Sequence, residues 1–389
     1  IVSEVFQEIK QLGFQYITAD LTSFLIYSSV FALTLLFCVL FQNVKRKTKT
    51  TVTLCVLLTA LPLSVLAGVR YGVGTDFYNY AEIIHAARSG SGYAEVIDKY
   101  MLEPGFNVFI FVTSRMFTSD GVVFFLMEYI TLTIAFYAFA RLHKSLNFPL
   151  AVSLYYLMFY NYSLNISRQM MAMSFILLAV SLLYTRKVLA YVLCCLLAFS
   201  LHFSAIVGLA LGVVYFISKK RDISLKKYKV INLIYMIVVL LCALFVRNIM
   251  IAFFNLIPSL SKYARYLIDN PTVTMFSFVK GFILVFPLML TNRYICRDTR
   301  LVFLRNCVWL YFIVATGAYY FNYVSRLIMY IRLIIILIVT IIVPKLRGTS
   351  RFLFGAYYVG LYALAYYDSF IIHNHADTFP YRTVLSVRQ

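Results

Sequence analysis

Long apolar runs recur from one end of this chain to the other, and they constrain its fold more than any single motif does. Each run is close to the roughly 20 helical residues that cross a hydrocarbon core. Hydrophobic residues make up 62% of the 389 residues and charged residues 13%, about half the charged fraction of soluble domains. The chain must therefore cross a membrane repeatedly, and helices satisfy its backbone hydrogen bonds there.

About twelve spans are predicted, and their boundaries are good to a few residues. They cover residues 21–41, 51–69, 120–140, 148–165, 170–184, 188–200, 203–217, 230–247, 273–291, 301–320, 327–343 and 352–371. The predicted fold class is an all-α integral membrane protein. No repeat, low-complexity run or linker interrupts the pattern, so a single polytopic domain is predicted over residues 1–389.

The basic residues give the topology. More than half of the 35 lysines and arginines lie in six short connections between apolar runs, as the positive-inside rule expects of cytoplasmic loops. The net charge of +20 is thus a topology signal and does not indicate nucleic-acid binding. Inside and outside loops alternate consistently along the chain on two conditions. Residues 105–118 must form a short or re-entrant helix that only dips into the outer leaflet, and 188–217 must form two short helices that meet at an apex. Residues 70–119 and 248–272 are then long outer loops.

Several arginines break this pattern, because they face outward or lie at outer helix ends. They are Arg70, Arg168, Arg265, Arg326 and Arg332. An arginine near the bilayer centre costs roughly 2.5–3.5 kcal/mol on insertion scales. A polyanionic ligand in the outer leaflet would offset that cost, because guanidinium groups bind phosphate oxygens bidentately. The alternatives are snorkelling to the interface and pairing with carboxylates.

The first outer loop begins with a glycine-containing segment, residues 70–80, and passes into a predicted helix after Asp76. Glycines allow a close backbone approach, and a helix N-terminus favours anions. Asp76 is either the N-cap of this helix or a base or acceptor for a sugar hydroxyl.

His202 lies at the predicted apex between two short helices. Broken helices at membrane depth are tolerated where they line a cavity, and histidine titrates near pH 6.5, which suits proton abstraction. The alternative is a structural histidine bonded to an interhelical carbonyl. Glu103 and Glu128 are further carboxylates, and Glu128 could equally pair with an arginine.

These pieces resemble the EpsG-like branch of the bacterial polysaccharide polymerases, the Wzy-type O-antigen polymerases. The segment RYGVGTDFYNY over residues 70–80 carries the first part of the resemblance. The later parts follow in the same order as Glu103-Pro-Gly-Phe106, Ser167-Arg168-Gln169, Leu201-His202-Phe203-Ser204, Ser325-Arg326-Leu-Ile-Met-Tyr330 and Pro380-Tyr381-Arg382.

The resemblance implies a GT-C-like glycosyltransferase in the bacterial inner membrane, with its active site facing outward and no metal or other cofactor. The donor would be a glycan on undecaprenyl diphosphate and the acceptor a lipid-linked repeat unit. Membrane lipids, a chain-length regulator and a flippase would be its further partners.

The roles that we assign on this basis divide into three groups. Either His202 or Asp76 would be the base. The diphosphate would be held by Arg70, Arg168, Arg265, Arg326 and Arg332. Sugars or arginines would be oriented by Tyr80, Glu103, Gln169 and Tyr330.

Two other functions remain open from the residues. A flippase for the same lipid-linked sugars would also need cations in a cavity, but it would usually show internal repeats. A membrane acyltransferase could use His202 as its base, although no carboxylate or second histidine stands beside it in the sequence.

Overall fold

The computed structural model describes residues 20–89, 92–218, 224–256, 276–320 and 324–383. Most of the described residues are helical, and they form two compact units. The first holds the described residues up to Leu182, Lys187–Ala205, and the described residues from Gly355 onward; the second holds Leu183–Arg186 and Ile206–Phe354. The single domain predicted from the sequence stays a prediction.

The first unit contains most of the predicted outer loop and the helices around it. Its helices are α1 (Leu21–Asn43), α2 (Lys49–Val69), α3 (Phe77–Arg88), α4 (Tyr93–Tyr100), α5 (Pro104–Met116), α6 (Asp120–Ala140), α7 (Phe148–Tyr155), α8 (Ser167–Tyr184, to Leu182) and α9 (Val188–Leu201). A π-helical turn (Tyr156–Tyr160) and a short α-helical turn (Asn161–Ser163) continue α7.

The second unit is also helical. Its longer segment begins at Ile206, the last residue of a 3₁₀ turn (Phe203–Ile206). Its helices are α10 (Val207–Ser218), α11 (Leu225–Leu256), α12 (Phe276–Leu290), α13 (Asn292–Ile295), α14 (Thr299–Tyr320), α15 (Ser325–Ile342) and the start of α16 (Gly348–Tyr366). Helix α14 packs against α10, α11 and α15. The buried face of α15 is almost continuous isoleucine, leucine and valine, so this helix is apolar enough to be enclosed by others.

Small residues allow the helices of the first unit to pack closely. Helix α2 packs against α6, and a Cβ on Gly68 would lie 2.8 Å from the Phe125 Cβ and 2.9 Å from the Gly121 carbonyl oxygen. Close approach at small residues is how helices associate in lipid, where burial from water no longer drives packing. The C-terminal end of α2 and the N-terminal end of α6 are thereby fixed side by side.

Within the described residues, five helices are long and apolar enough to cross a membrane: Leu21–Asn43, Lys49–Val69, Asp120–Ala140, Ser167–Tyr184 and Ser325–Lys345. Shorter apolar helices include Val188–Leu201 and Phe203–Ser218. A helical membrane protein is confirmed, and the total of about twelve spans stays a prediction.

The short or re-entrant helix predicted near 105–118 is a regular helix, α5, in the structure. The second predicted outer loop, 248–272, differs, because it begins as the last turns of the long helix α11. The rest of that loop, including Arg265, lies outside the described residues. The span predicted at 230–247 is shorter than α11, because hydropathy locates the apolar part of a helix and not its polar ends.

Candidate active site

The loop after α2 turns at two glycines. Gly72 and Gly74 have φ angles of +62° and +98°, values that residues with a Cβ disfavour. A Cβ on Gly74 would also lie 2.7 Å from the carbonyl oxygen of Leu164. The glycines therefore allow the loop to lie directly against the connection that precedes α8.

The C-terminal segment 374–383 covers the same loop. The backbone N–H of Tyr71 donates to the Arg382 carbonyl at 2.9 Å. Tyr381 is buried, and its hydroxyl donates to the carbonyl of Leu66 at 2.6 Å. Residues 380–382, the tail motif, and residues 70–80, the loop motif, are about 300 residues apart in the sequence, and they thus form one structural feature.

Asn165 fixes the start of α3. Its side-chain oxygen accepts from the Thr75 hydroxyl at 2.7 Å and from the Asp76 backbone N–H at 2.9 Å. Asp76 stands at the N-cap position of α3, but its side chain makes no capping hydrogen bond. The capping alternative for this carboxylate, a bond from its side chain to the helix N-terminus, is therefore not the arrangement found.

Arg168 and Glu103 form an ion pair between two helix starts. Nη1 of Arg168 lies 2.9 Å from Oε2 of Glu103, and the side chains are 29% and 7% exposed. The other carboxylate oxygen of Glu103 accepts from the backbone N–H of Phe203 at 3.2 Å. Glu103 thus connects the start of α8 to the break after α9, and the partly exposed guanidinium has further N–H groups able to bind an anion.

Gly105 explains how this approach is possible. Helix α5 packs against α9, and a Cβ on Gly105 would overlap the side chain and backbone of Ser200. Only a glycine allows the start of α5 to contact the end of α9 at this point. The sequence Glu103-Pro-Gly-Phe therefore places the carboxylate beside the Leu201–Ser204 segment.

Tyr80 supports Arg168 from α3. Its hydroxyl oxygen accepts the backbone N–H of Arg168 at 3.2 Å, and the Tyr80 and Phe106 rings lie 6.0 Å apart in a T-shaped contact. The guanidinium carbon of Arg168 lies 5.8 Å from the Phe106 ring centre. Burial raises the pKa of Tyr80, opposed by the nearby Arg168 charge, so the phenol is neutral at physiological pH.

His202 ends α9 in an extended conformation. Its Nδ1 accepts from the Ser204 backbone N–H at 3.1 Å and lies 2.7 Å from the Ser204 hydroxyl. Because a backbone N–H can only donate, Nδ1 is an acceptor, and the neutral ring carries its proton on Nε2. In this tautomer the ring is suited to donate a hydrogen bond from Nε2, and not to accept a proton there.

Tyr80, Glu103, Arg168 and His202 together make up what we call the Arg168 cluster. They come from α3, from the starts of α5 and α8, and from the break after α9. A partly exposed cation, a neutral phenol and an imidazole that can donate are groups able to bind and stabilise an oxyanion.

Arg70 lies in a different environment. Its side chain is 3% exposed, and its guanidinium carbon lies 4.9 Å from the centre of the Phe124 ring. Burial lowers the pKa of Arg70, and the charge of the buried Glu128 carboxylate opposes that shift. Among the described residues, the Arg70 guanidinium lies against the rings of Phe77 and Phe124, whereas Arg168 pairs with Glu103, so the structure does not bring these two predicted diphosphate ligands into contact.

Residues 52–383 match the EpsG family, most of the 389-residue chain. The chain belongs to the EpsG family. Neither the curated proteins nor the solved structures include a match to it. EpsG membership indicates a membrane protein with a polysaccharide-polymerase-like role and glycosyltransferase-like chemistry, and it confirms the resemblance to the EpsG-like branch found in the sequence.

The remaining predicted site residues of this EpsG protein that the structure describes lie on α8 and α15. Gln169 is buried, with its amide nitrogen 3.8 Å from the Met173 sulfur. In the second unit, Arg326 is exposed, Arg332 is half-buried and Tyr330 is fully buried, all on α15. Their roles in binding diphosphate or sugar stay predictions from the sequence.

Two features of this EpsG protein were not predicted from the sequence. Asn165 is the acceptor that sets the loop in place, and its only sequence signal is its position three residues before Arg168. The second unit also holds a cavity of about 720 Å³ lined by four cations, Arg186, Arg297, Arg300 and Lys345. These four residues come from connections that the positive-inside rule predicts to be cytoplasmic.

Proposed function

We propose that this EpsG protein is a polymerase that transfers a growing glycan from undecaprenyl diphosphate to a lipid-linked oligosaccharide repeat unit. The reaction would take place at the outer face of the bacterial inner membrane and build O-antigen or a related surface polysaccharide. Family membership supports the polymerase class. The lipid carrier, the Wzy-type reaction, the GT-C class and the outward orientation are our finer proposals.

The observation that carries the proposal is the Arg168–Glu103 pair. Glu103 holds Arg168 in place at 2.9 Å while the guanidinium stays partly exposed. A positioned arginine can bind two phosphate oxygens and stabilise the negative charge that develops as a diphosphate departs. Glycosyl transfer from a lipid diphosphate requires this stabilisation of the leaving group.

The geometry favours Asp76 over His202 as the base. The acceptor hydroxyl oxygen would attack the anomeric carbon of the donor sugar, the bond from that carbon to the diphosphate oxygen would break, and the hydroxyl proton would pass to the Asp76 carboxylate. Asp76 is the N-cap residue of α3 and lies about one helical turn before Tyr80. His202, with its proton on Nε2, would instead donate a hydrogen bond to the leaving diphosphate.

The other predicted residues keep supporting roles in the proposal. Glu103 and Tyr80 position Arg168, whereas Gln169 and Tyr330 would orient sugar or arginine. Arg326, Arg332 and Arg265 would add positive charge for the diphosphates. Metal independence is also proposed: among the described residues, no group of three or more histidine, cysteine or acidic side chains could hold a metal ion.

The test is polymerisation by the purified protein in lipid nanodiscs, supplied with an undecaprenyl-diphosphate-linked repeat unit. Wild type should produce a ladder of longer glycans, and Arg168→Ala should produce none while remaining monodisperse. Lys99→Ala is the matched control, because it removes an exposed outer-loop cation whose pairing with Glu82 spans 3.4 Å at the surface. Normal ladders from Arg168→Ala would exclude Arg168 from the site.

The same preparation separates the alternative functions. A flippase would move labelled repeat units across proteoliposomes without extending them, and an acyltransferase would modify a substrate only when an acyl donor is added. Polymer formation by the pure protein excludes both as its principal activity. A chelator should leave the ladder unchanged, and its loss on chelation would contradict metal independence.

A further inference from the structure

Several residues of the loop motif, residues 70–80, do not belong to the Arg168 cluster. Arg70, Tyr71, Phe77 and Tyr78 do not belong to that cluster, yet all four line one cavity of about 830 Å³ in the first unit. The cavity lies where the outer ends of α2 and α6 meet α3. Because those ends are predicted to lie at the outer membrane surface, the cavity is expected to lie at the level of lipid headgroups.

Arg70 is a buried cation at this cavity with unused hydrogen-bonding groups. Its side chain is 3% exposed, and among the described residues neither Nε nor Nη1 has a hydrogen-bond partner. Its guanidinium carbon lies 4.9 Å from the centre of the Phe124 ring and 5.9 Å from the centre of the Phe77 ring, and these two rings stack on each other. A buried charged group with few hydrogen bonds is costly, so an anion that contacts the Arg70 guanidinium from the cavity would be stabilised there.

The charge of the cavity suits an anion. Its one carboxylate, Asp120, is already bonded to Arg88 at 2.8 Å and to His85 at 2.6 Å. The lining therefore carries two arginines against one compensated carboxylate. The half-exposed rings of Tyr71 and Tyr78, 6.4 Å apart and perpendicular, add faces on which a sugar could stack.

Helix α3 separates this cavity from the Arg168 cluster. With about 100° per residue, Phe77, Ala81, His85 and Arg88 fall on one face of α3, and all four line the cavity. Tyr80 falls on another face, where it contacts Arg168. Two cationic environments thus lie on different sides of the same short helix.

We infer that the Arg70 cavity is a second phosphate-binding site, distinct from the Arg168 cluster, which takes the diphosphate of a second lipid-linked substrate. The inference rests on the proposed function in one respect, since joining two lipid-linked glycans requires two such diphosphates. One would be bound on each side of α3, with the loop motif supplying a residue to each: Arg70 to the cavity and Tyr80 to the Arg168 cluster.

The experiment counts binding sites on the full-length protein by calorimetry, using inorganic pyrophosphate in one arm and farnesyl diphosphate in the other. Wild type should bind two molecules of at least one probe. Arg70→Gln and Arg168→Ala should each lose one site, with affinity at that site falling about tenfold or more, and the double variant should lose both. Lys99→Ala should keep both sites.

Binding of pyrophosphate would show that the anion suffices, whereas binding of farnesyl diphosphate alone would show that the lipid chain is also required; both outcomes support the site. Ala81→Phe guards against misfolding of Arg70→Gln, because it fills the cavity without removing the charge, and it should lose the same site. If both variants retain two sites at wild-type affinity, the inference is wrong.

This assay needs no glycan and no turnover. Two-site binding without polymer formation would therefore sustain the second site and overturn the proposed function. The opposite result is a wild type that forms polymer but binds a single diphosphate, with that binding lost only when Arg168 is replaced. It would support the proposed function and overturn the second site.

Discussion

The guanidinium of Arg168 and the carboxylate of Glu103 lie 2.9 Å apart although 65 residues separate them in the chain. This pair could serve the fold, by joining two helix starts, or the chemistry, by presenting a cation to a substrate. Geometry alone is compatible with both, but variants of the two residues separate them.

Exchanging the two charges distinguishes these roles. Arg168→Ala or Glu103→Ala alone should lower the free energy of unfolding by about 1–3 kcal/mol, since each leaves a largely buried partner unsatisfied. The double variant Arg168→Glu with Glu103→Arg should recover part of that loss, measured as the midpoint of thermal unfolding in detergent. Polymer formation should not recover, because the cation would stand at the wrong position. Recovery of both would mean that the pair is only structural.

His202 can be tested by replacing one ring nitrogen at a time. In His202→Asn the amide oxygen can stand near the position of Nδ1 and still accept the Ser204 N–H, but nothing replaces Nε2. In His202→Gln the amide group reaches toward Nε2 and leaves the Ser204 N–H without its acceptor. If Nε2 donates to the leaving group, the asparagine variant should lose activity by about 10²-fold or more and keep its thermal stability.

The glutamine variant should show the opposite pattern, with part of the activity retained and stability reduced. Equal activity in the two variants would contradict a role for Nε2. A comparison of the pH–rate profiles of wild type and the glutamine variant adds a second readout, because an acidic limb present in wild type and absent from the variant would identify His202 as the base and contradict the donor role.

Sequence reasoning recovered the membrane helices and much of the loop for definite reasons. Helix α6 begins and ends at the predicted residues, 120 and 140, because hydropathy reports span length directly. The break at His202 was also predicted. By contrast, the contact between Tyr381 and Leu66 links residues 315 apart, and no local pattern encodes such a pairing.

The environments of the arginines were the least predictable feature. Arg70 and Arg168 carry the same charge in neighbouring motifs, yet one is buried against Phe124 and the other is partly exposed beside Glu103. Periodicity places a residue on a face of a helix, but which carboxylate or ring it meets depends on tertiary packing. The π-helical turn at Tyr156–Tyr160 was invisible for a related reason, since its composition is that of any apolar helix.

Asp298 gives the protein a pH-dependent contribution to stability in the second unit. Burial raises the pKa of Asp298, but hydrogen bonds from the Arg300 side chain and backbone and the charges of Arg300 and Lys345 outweigh it and hold the pKa below 3.8. A lowered carboxyl pKa stabilises the fold above the unfolded-state value and loses that effect as the pH falls through the folded-state value. The stabilisation should therefore be complete near neutral pH and decline below 3.8.

Asp298→Asn should accordingly lower the free energy of unfolding by about 0.5–1 kcal/mol near neutral pH, and the difference from wild type should shrink in acid. Thermal unfolding in detergent at a series of pH values measures it. In an Arg300→Gln background the same substitution should have a smaller effect. A difference that stays constant with pH would rule out the ionic origin.

Glu128 should control how strongly the Arg70 cavity attracts an anion. Its carboxylate is buried on α6, accepts from the Ser163 hydroxyl at 2.6 Å, and acts electrostatically on Arg70. Glu128→Gln keeps the shape and an oxygen to accept from Ser163, but it cannot carry the negative charge with which an ionised Glu128 competes with a bound phosphate. Pyrophosphate affinity should rise about threefold or more, measured in an Arg168→Ala background so that only the Arg70 cavity is titrated. Unchanged affinity would show that Glu128 does not influence the cavity, whereas weaker binding would show that Glu128 is needed to hold Arg70 in position.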